Sequence, residues 1–88
     1  MPDHVHESIA RRLKRANGHL ETIIEMIEQE RPCAQIAQQL QAVEGAIESA
    51  KKMLIHDHLG HSLERSLGTT GAKNRALLKE FSLIAKYL

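Results

Sequence analysis

The chain has 88 residues, a formal net charge of +1 and just two aromatic residues, Phe81 and Tyr87. One domain of this size with an aliphatic core buries little surface, so oligomerisation is expected; a single cysteine excludes an internal disulfide framework. The lack of a signal-peptide pattern and of a long apolar run predicts a soluble, cytoplasmic protein that spans no membrane.

Residues 1–6 read as a short flexible tail holding Pro2, His4 and His6. A first helix is predicted from His6 or Glu7 to about Gln29. Its apolar stripe is Ile9, Leu13, Ala16, Leu20, Ile23 or Ile24, and Ile27, at spacings of three and four. Gly18 interrupts it at tolerable cost. Arg11, Arg12, Lys14 and Arg15 surround Leu13. Such a cluster is most often a solvated helix face; repeated in an oligomer it becomes a surface for phosphate backbones, which Lys51, Lys52, Lys73 and Arg75 would extend. No helix-turn-helix, zinc-finger or basic-zipper pattern accompanies it, so DNA contact would rest on charge and shape.

Glu30-Arg31-Pro32 breaks the first helix, and Pro32 suits the first turn of a second. That helix is predicted from Cys33 to about Ser66. Its stripe runs through Cys33, Ile36, Leu40, Val43, Ile47, Ala50 and Leu54, then on to Asp57 or His58 and to His61. Gly68-Thr69-Thr70-Gly71 reads as a loop. A third helix, Ala72 to Tyr87, carries Leu77, Phe81, Ile84 and Leu88 on one face. Nothing reads as strand. The expected fold class is all-α, three helices in a single domain spanning residues 1–88.

Spacing then constrains chemistry. Cys33 and His58 are 25 residues apart, roughly 37 Å along one helix, so they cannot share a ligand within one chain. Two copies of this helix packed antiparallel would bring Cys33 of one beside His58 of the other, twice over, which predicts an isologous dimer. The two-fold axis would fall between Gly45 and Ala46, where Ala42, Gly45, Ala46 and Ser49 are small enough for close approach.

Cys33 taken alone is a small hydrophobe; its place at a helix start, where a thiolate is favoured, and its relation to His58 favour a functional role. His58 and His61, three apart, share a helix face and suit one metal. His56 points elsewhere. A polar, pH-sensitive surface is the plainer reading of any one of these histidines, but three within six residues favour a metal. His4 and His6 either fold over the site to supply a ligand or belong to a disordered terminus. Loss of Met1 would expose the Pro2 amine, a secondary amine able to condense with an aldehyde and a nearby thiolate.

The segments RLKRANGHLETI and CAQIAQQLQAVEGAI and the His58-bearing end of the second helix resemble the CsoR/RcnR family of small all-helical repressors. The resemblance covers essentially the whole chain, and HDHLGHSLE and the terminal KYL look most like the nickel-resistance-associated branch. It implies a homodimer built as an antiparallel four-helix bundle and two dimers joined in a homotetramer. It further implies operator DNA binding that is relieved by an effector held between protomers. Cys33 and His58 match the shared ligands, and Arg12 and Arg15 match helix-1 positions linked with DNA binding.

One position departs from the pattern. Four residues after His58, copper-sensing relatives carry Cys, nickel and cobalt sensors His, and the formaldehyde sensor Glu; this chain has Ser62. Without a second thiolate copper(I) is disfavoured, and nickel or cobalt is expected, with zinc admissible. His61 and His4 or His6 would complete the shell. Pro2 with Cys33 is the pairing used in the formaldehyde-sensing branch, which makes a formaldehyde-responsive repressor the alternative. No acid–base pair or substrate pocket suggests an enzyme.

Overall fold

The computed structural model describes residues 4–66 and 71–88. All regular structure among them is helical: α1 (His4–Glu28), α2 (Cys33–Ser66) and α3 (Gly71–Ala85). The all-α, three-helix expectation holds, and α2 has the limits its stripe predicts. α1 starts two to three residues earlier than its pattern suggests, taking His4 and His6 out of the expected tail and into the helix. Glu7 sits in this first turn, where a carboxylate offsets the helix dipole. Gly71 opens α3 instead of closing a loop; Pro2 and the rest of that loop lie outside the described residues.

The chain divides into two compact units, one ending at Lys51 and the other beginning at Lys52. In the first, α1 packs on the first part of α2 as a helical hairpin. Its core is Ile9, Ala16 and Ile23 from α1 and Val43 and Ala50 from α2, all nearly or fully buried. Each set steps by seven residues, which returns to within about 20° of the same direction on a helix. The apolar stripes are wider than these rows. Leu13, Ile27, Leu40 and Ile47 stand one flank away and remain 38–54 % exposed. Each stripe is therefore broader than its own hairpin buries. On the other flank, His19 donates from Nε2 to Gln39 Oε1 at 2.6 Å, a partly buried polar tie between the helices.

Between the helices the backbone turns in a Schellman motif. Arg31 N–H donates to Met26 O and Glu30 N–H to Ile27 O, both at 3.0 Å, which satisfies carbonyls the last turn would leave open. The residue at the turning point, Glu30, has φ 56°, a left-handed conformation that glycine adopts without cost. Glu30→Gly is expected to raise unfolding stability by about 1 kcal/mol, the left-handed penalty less the entropy glycine adds to the unfolded chain. A denaturant midpoint equal to or below that of the wild type would refute this. The Pro32 carbonyl accepts from Gln35 and Ile36 at 3.0 and 3.2 Å, so Pro32 caps α2 and Cys33 is its first helical residue.

In the second unit, Ile55 and Ser62 are buried on α2, again seven apart. α3 turns Leu77, Glu80 and Ile84 partly inward, while Phe81 and Leu88 from its expected apolar face are exposed. No helix among the described residues is long and apolar enough to cross a membrane.

Candidate metal centre and basic face

Cys33 is a free, exposed thiol at the first position of α2. His58 lies 25 residues on, along the same helix. Among the described residues no three His, Cys, Asp or Glu side chains gather to hold a metal within one chain, as the helical spacing requires. His4, at the start of α1, is exposed with Nδ1 4.0 Å from Glu7 Oε2, and His6 is exposed one half-turn further.

His58 is half-buried, and its Nε2 donates to Glu80 Oε1 across the α2–α3 contact. That bond fixes the tautomer: with the proton on Nε2, the lone pair is on Nδ1, leaving that nitrogen as the donor atom. Glu80 was absent from the sequence-level site. Its signal is visible in retrospect, because an acid at position 80 lies between Leu77 and Ile84 on the inward face of α3. His61 turns Nδ1 toward Asp57 Oδ2 at 3.6 Å. Ser62 is 4 % exposed and its hydroxyl oxygen makes no hydrogen bond, so the residue one turn beyond His58 carries a buried polar atom without a protein partner.

Helix register also decides which face of α2 a partner would meet. Within the first unit, steps of seven residues link Cys33, Leu40 and Ile47, and each returns close to the same direction around the axis. Cys33 thus shares a face with the exposed apolar row. The small residues do not. Ala46 and Ser49 lie on the opposite flank, where with Arg12, Arg15, Ala16 and His19 they line a cavity of about 430 Å³. A Cβ built on Gly45 meets nothing within 4 Å. Ala46 and Ser49 of the expected crossing surface thus line the α1–α2 cavity.

The basic run divides in the same way. Arg11, Arg12, Lys14 and Arg15 are all exposed; Arg12 and Arg15 border the cavity toward α2, and Arg11 and Lys14 do not.

The model of the metal-sensitive transcriptional repressor family matches residues 5–86. The copper-sensing transcriptional repressor CsoR of Mycobacterium ulcerans is 44 % identical over 48 residues, 54 % of this chain and 41 % of the relative. RicR of Mycobacterium tuberculosis, also a copper-sensing repressor, is 32 % identical over 76 residues, 86 % of this chain and 79 % of the relative. CsoR of Bacillus subtilis is 28 % identical over 81 residues, covering 92 % and 79 %. The match thus spans about two fifths of the length of the first of these relatives and most of the other two. No solved structure matches.

These relatives overturn the expected metal. Nickel or cobalt, with zinc admissible and copper(I) disfavoured, followed from Ser62 standing where a second thiolate would be; the named relatives sense copper. The physical flaw is that a missing second sulfur does not exclude a soft metal while one thiolate and imidazole nitrogens remain. The formaldehyde reading through Pro2 and Cys33 finds no support in these relatives. With its helical hairpin, its divided donors and a family match over residues 5–86, the chain belongs to the metal-sensitive transcriptional repressors.

Proposed function

We propose that this protein represses transcription by binding operator DNA in its metal-free form and lets go when copper(I) binds between two protomers. The observation that carries this reading is the 25-residue spacing of Cys33 and His58 within α2, too far apart to share an ion within a chain. Antiparallel pairing of two α2 helices along the Cys33–Leu40–Ile47 face completes two equivalent sites and covers the exposed apolar row. Two such dimers joined as a homotetramer repeat the basic face. One domain, residues 1–88, carries both activities.

The donors fit a soft ion. Cys33 supplies a thiolate, His58 of the partner subunit supplies Nδ1, and a third position falls to His61, His4 or His6. Bound there, the ion supplies a crosslink between protomers. Glu80 orients the imidazole and ties α3 to the occupied state. Occupation biases the oligomer toward a shape whose basic faces no longer match the spacing of operator phosphates.

DNA contact falls to Arg11, Arg12, Lys14 and Arg15, all exposed on α1. Arg12→Ala and Arg15→Ala are each expected to weaken duplex binding and to make the logarithmic salt dependence shallower by about 0.9 for every phosphate that a subunit no longer neutralises. Anisotropy titrations over a series of salt concentrations measure both. Unchanged affinity and slope in both variants would remove α1 from the DNA interface.

A further inference from the structure

The cavity between α1 and α2 is built as more than a stretch of charged surface. It is lined by Arg12, Arg15, Ala16 and His19 from α1 and by Ala46 and Ser49 from α2. Two guanidinium groups and a hydroxyl are groups that donate hydrogen bonds to an oxyanion, and no carboxylate is among the lining residues. Ala16 is 6 % exposed and Ala46 is exposed, so apolar methyl groups lie beside the polar groups of an open groove. His19 is held in place by its 2.6 Å bond to Gln39.

We propose that this cavity is an oxyanion seat that holds a single phosphate group, with Arg12, Arg15 and Ser49 as its donors. The volume of about 430 Å³ exceeds a bare phosphate and leaves space for an attached sugar. The group therefore comes either from a DNA backbone or from a free phosphate. The first source rests on the DNA reading above; the second does not. The cavity lies on the flank of α2 away from the Leu40–Ile47 row, so pairing along that row leaves its mouth open.

The test uses full-length protein, an isotope-labelled sample titrated with sodium phosphate at constant ionic strength, and a duplex titration in chloride and in phosphate buffers. Wild-type protein should show saturable shifts of the Ala16, His19 and Ser49 amides. Phosphate should also compete with duplex more strongly than chloride does at equal ionic strength. Ser49→Glu, which sets a carboxylate in the wall, should weaken phosphate and duplex binding about tenfold, the scale of losing one charge-assisted hydrogen bond. Gln38→Glu makes the same charge change at an exposed α2 position outside the cavity and should have a much smaller effect. Arg15→Gln removes one guanidinium from the wall and tests the seat if Ser49→Glu does not fold; it too should lose phosphate affinity.

Saturable phosphate shifts with unaltered duplex binding in Ser49→Glu would assign the seat to a free phosphate. Duplex sensitivity without phosphate shifts would assign it to the DNA backbone. Wild-type behaviour of Ser49→Glu and Arg15→Gln toward both ligands would overturn the seat, as would equal effects from Gln38→Glu and Ser49→Glu. Arg12→Ala and Arg15→Ala binding duplex normally would defeat the DNA reading and leave the phosphate titration to judge the seat alone.

Discussion

Cys33→Ala is expected to abolish tight copper(I) binding and, with it, release from DNA. Cys33 is the chain's only thiol, and nothing else in it offers a soft anionic donor. Its substitution should not disturb the fold, because the side chain is exposed at the first position of α2, where alanine is well tolerated. The variant should therefore bind duplex as the wild type does, with and without copper(I). Glu80→Gln is the graded companion. It keeps a partner for His58 but not the carboxylate, and loss of such an outer partner costs roughly 10- to 100-fold in metal affinity. Competition titrations against a copper(I) chelator, run beside duplex anisotropy, read both effects. Normal copper-dependent release in Cys33→Ala would place the metal elsewhere.

The helices were legible because their signal is local. Spacings of three and four mark α2 from Cys33 to Leu54, and Glu30-Arg31-Pro32 marks the turn. What the sequence hides is which part of a broad stripe a helix spends on its own hairpin. Val43 and Ala50 are buried while Leu40 and Ile47, on the same stripe, are not. Only the hairpin's packing separates those rows, and that separation moves the proposed interface from the small residues to the apolar ones. Glu80 and Gln39 were missed for a related reason. A polar residue becomes a partner only when tertiary structure brings His58 or His19 to it, 22 and 20 residues away in sequence. The metal was misjudged at one position: Ser62 removes a sulfur, and the donor set was read from that loss more than from the thiolate and imidazoles that remain.

Ile47→Glu is expected to convert the protein to monomers at micromolar concentration and to eliminate both copper(I) binding and tight DNA binding. Ile47 is 44 % exposed in the single chain, next to Val43 at 3 %, so the substitution alters the surface row and spares the hairpin core. The antiparallel register that sets residue 33 opposite residue 58 also sets residue 47 opposite residue 44. Each new carboxylate would then face Glu44 of the partner subunit, and the two-fold axis makes the contact occur twice. Losing two buried isoleucines at about 2 kcal/mol each weakens association by about a thousandfold before the charge repulsion is counted. Val43→Glu would instead unfold the chain, so Ile47→Glu must be compared by helicity as well as by mass in solution. A helical monomer that binds neither copper(I) nor duplex tightly is the expected product. A dimer of normal stability would mean that α2 pairs on another face, and Cys33 and His58 would then have no means of meeting.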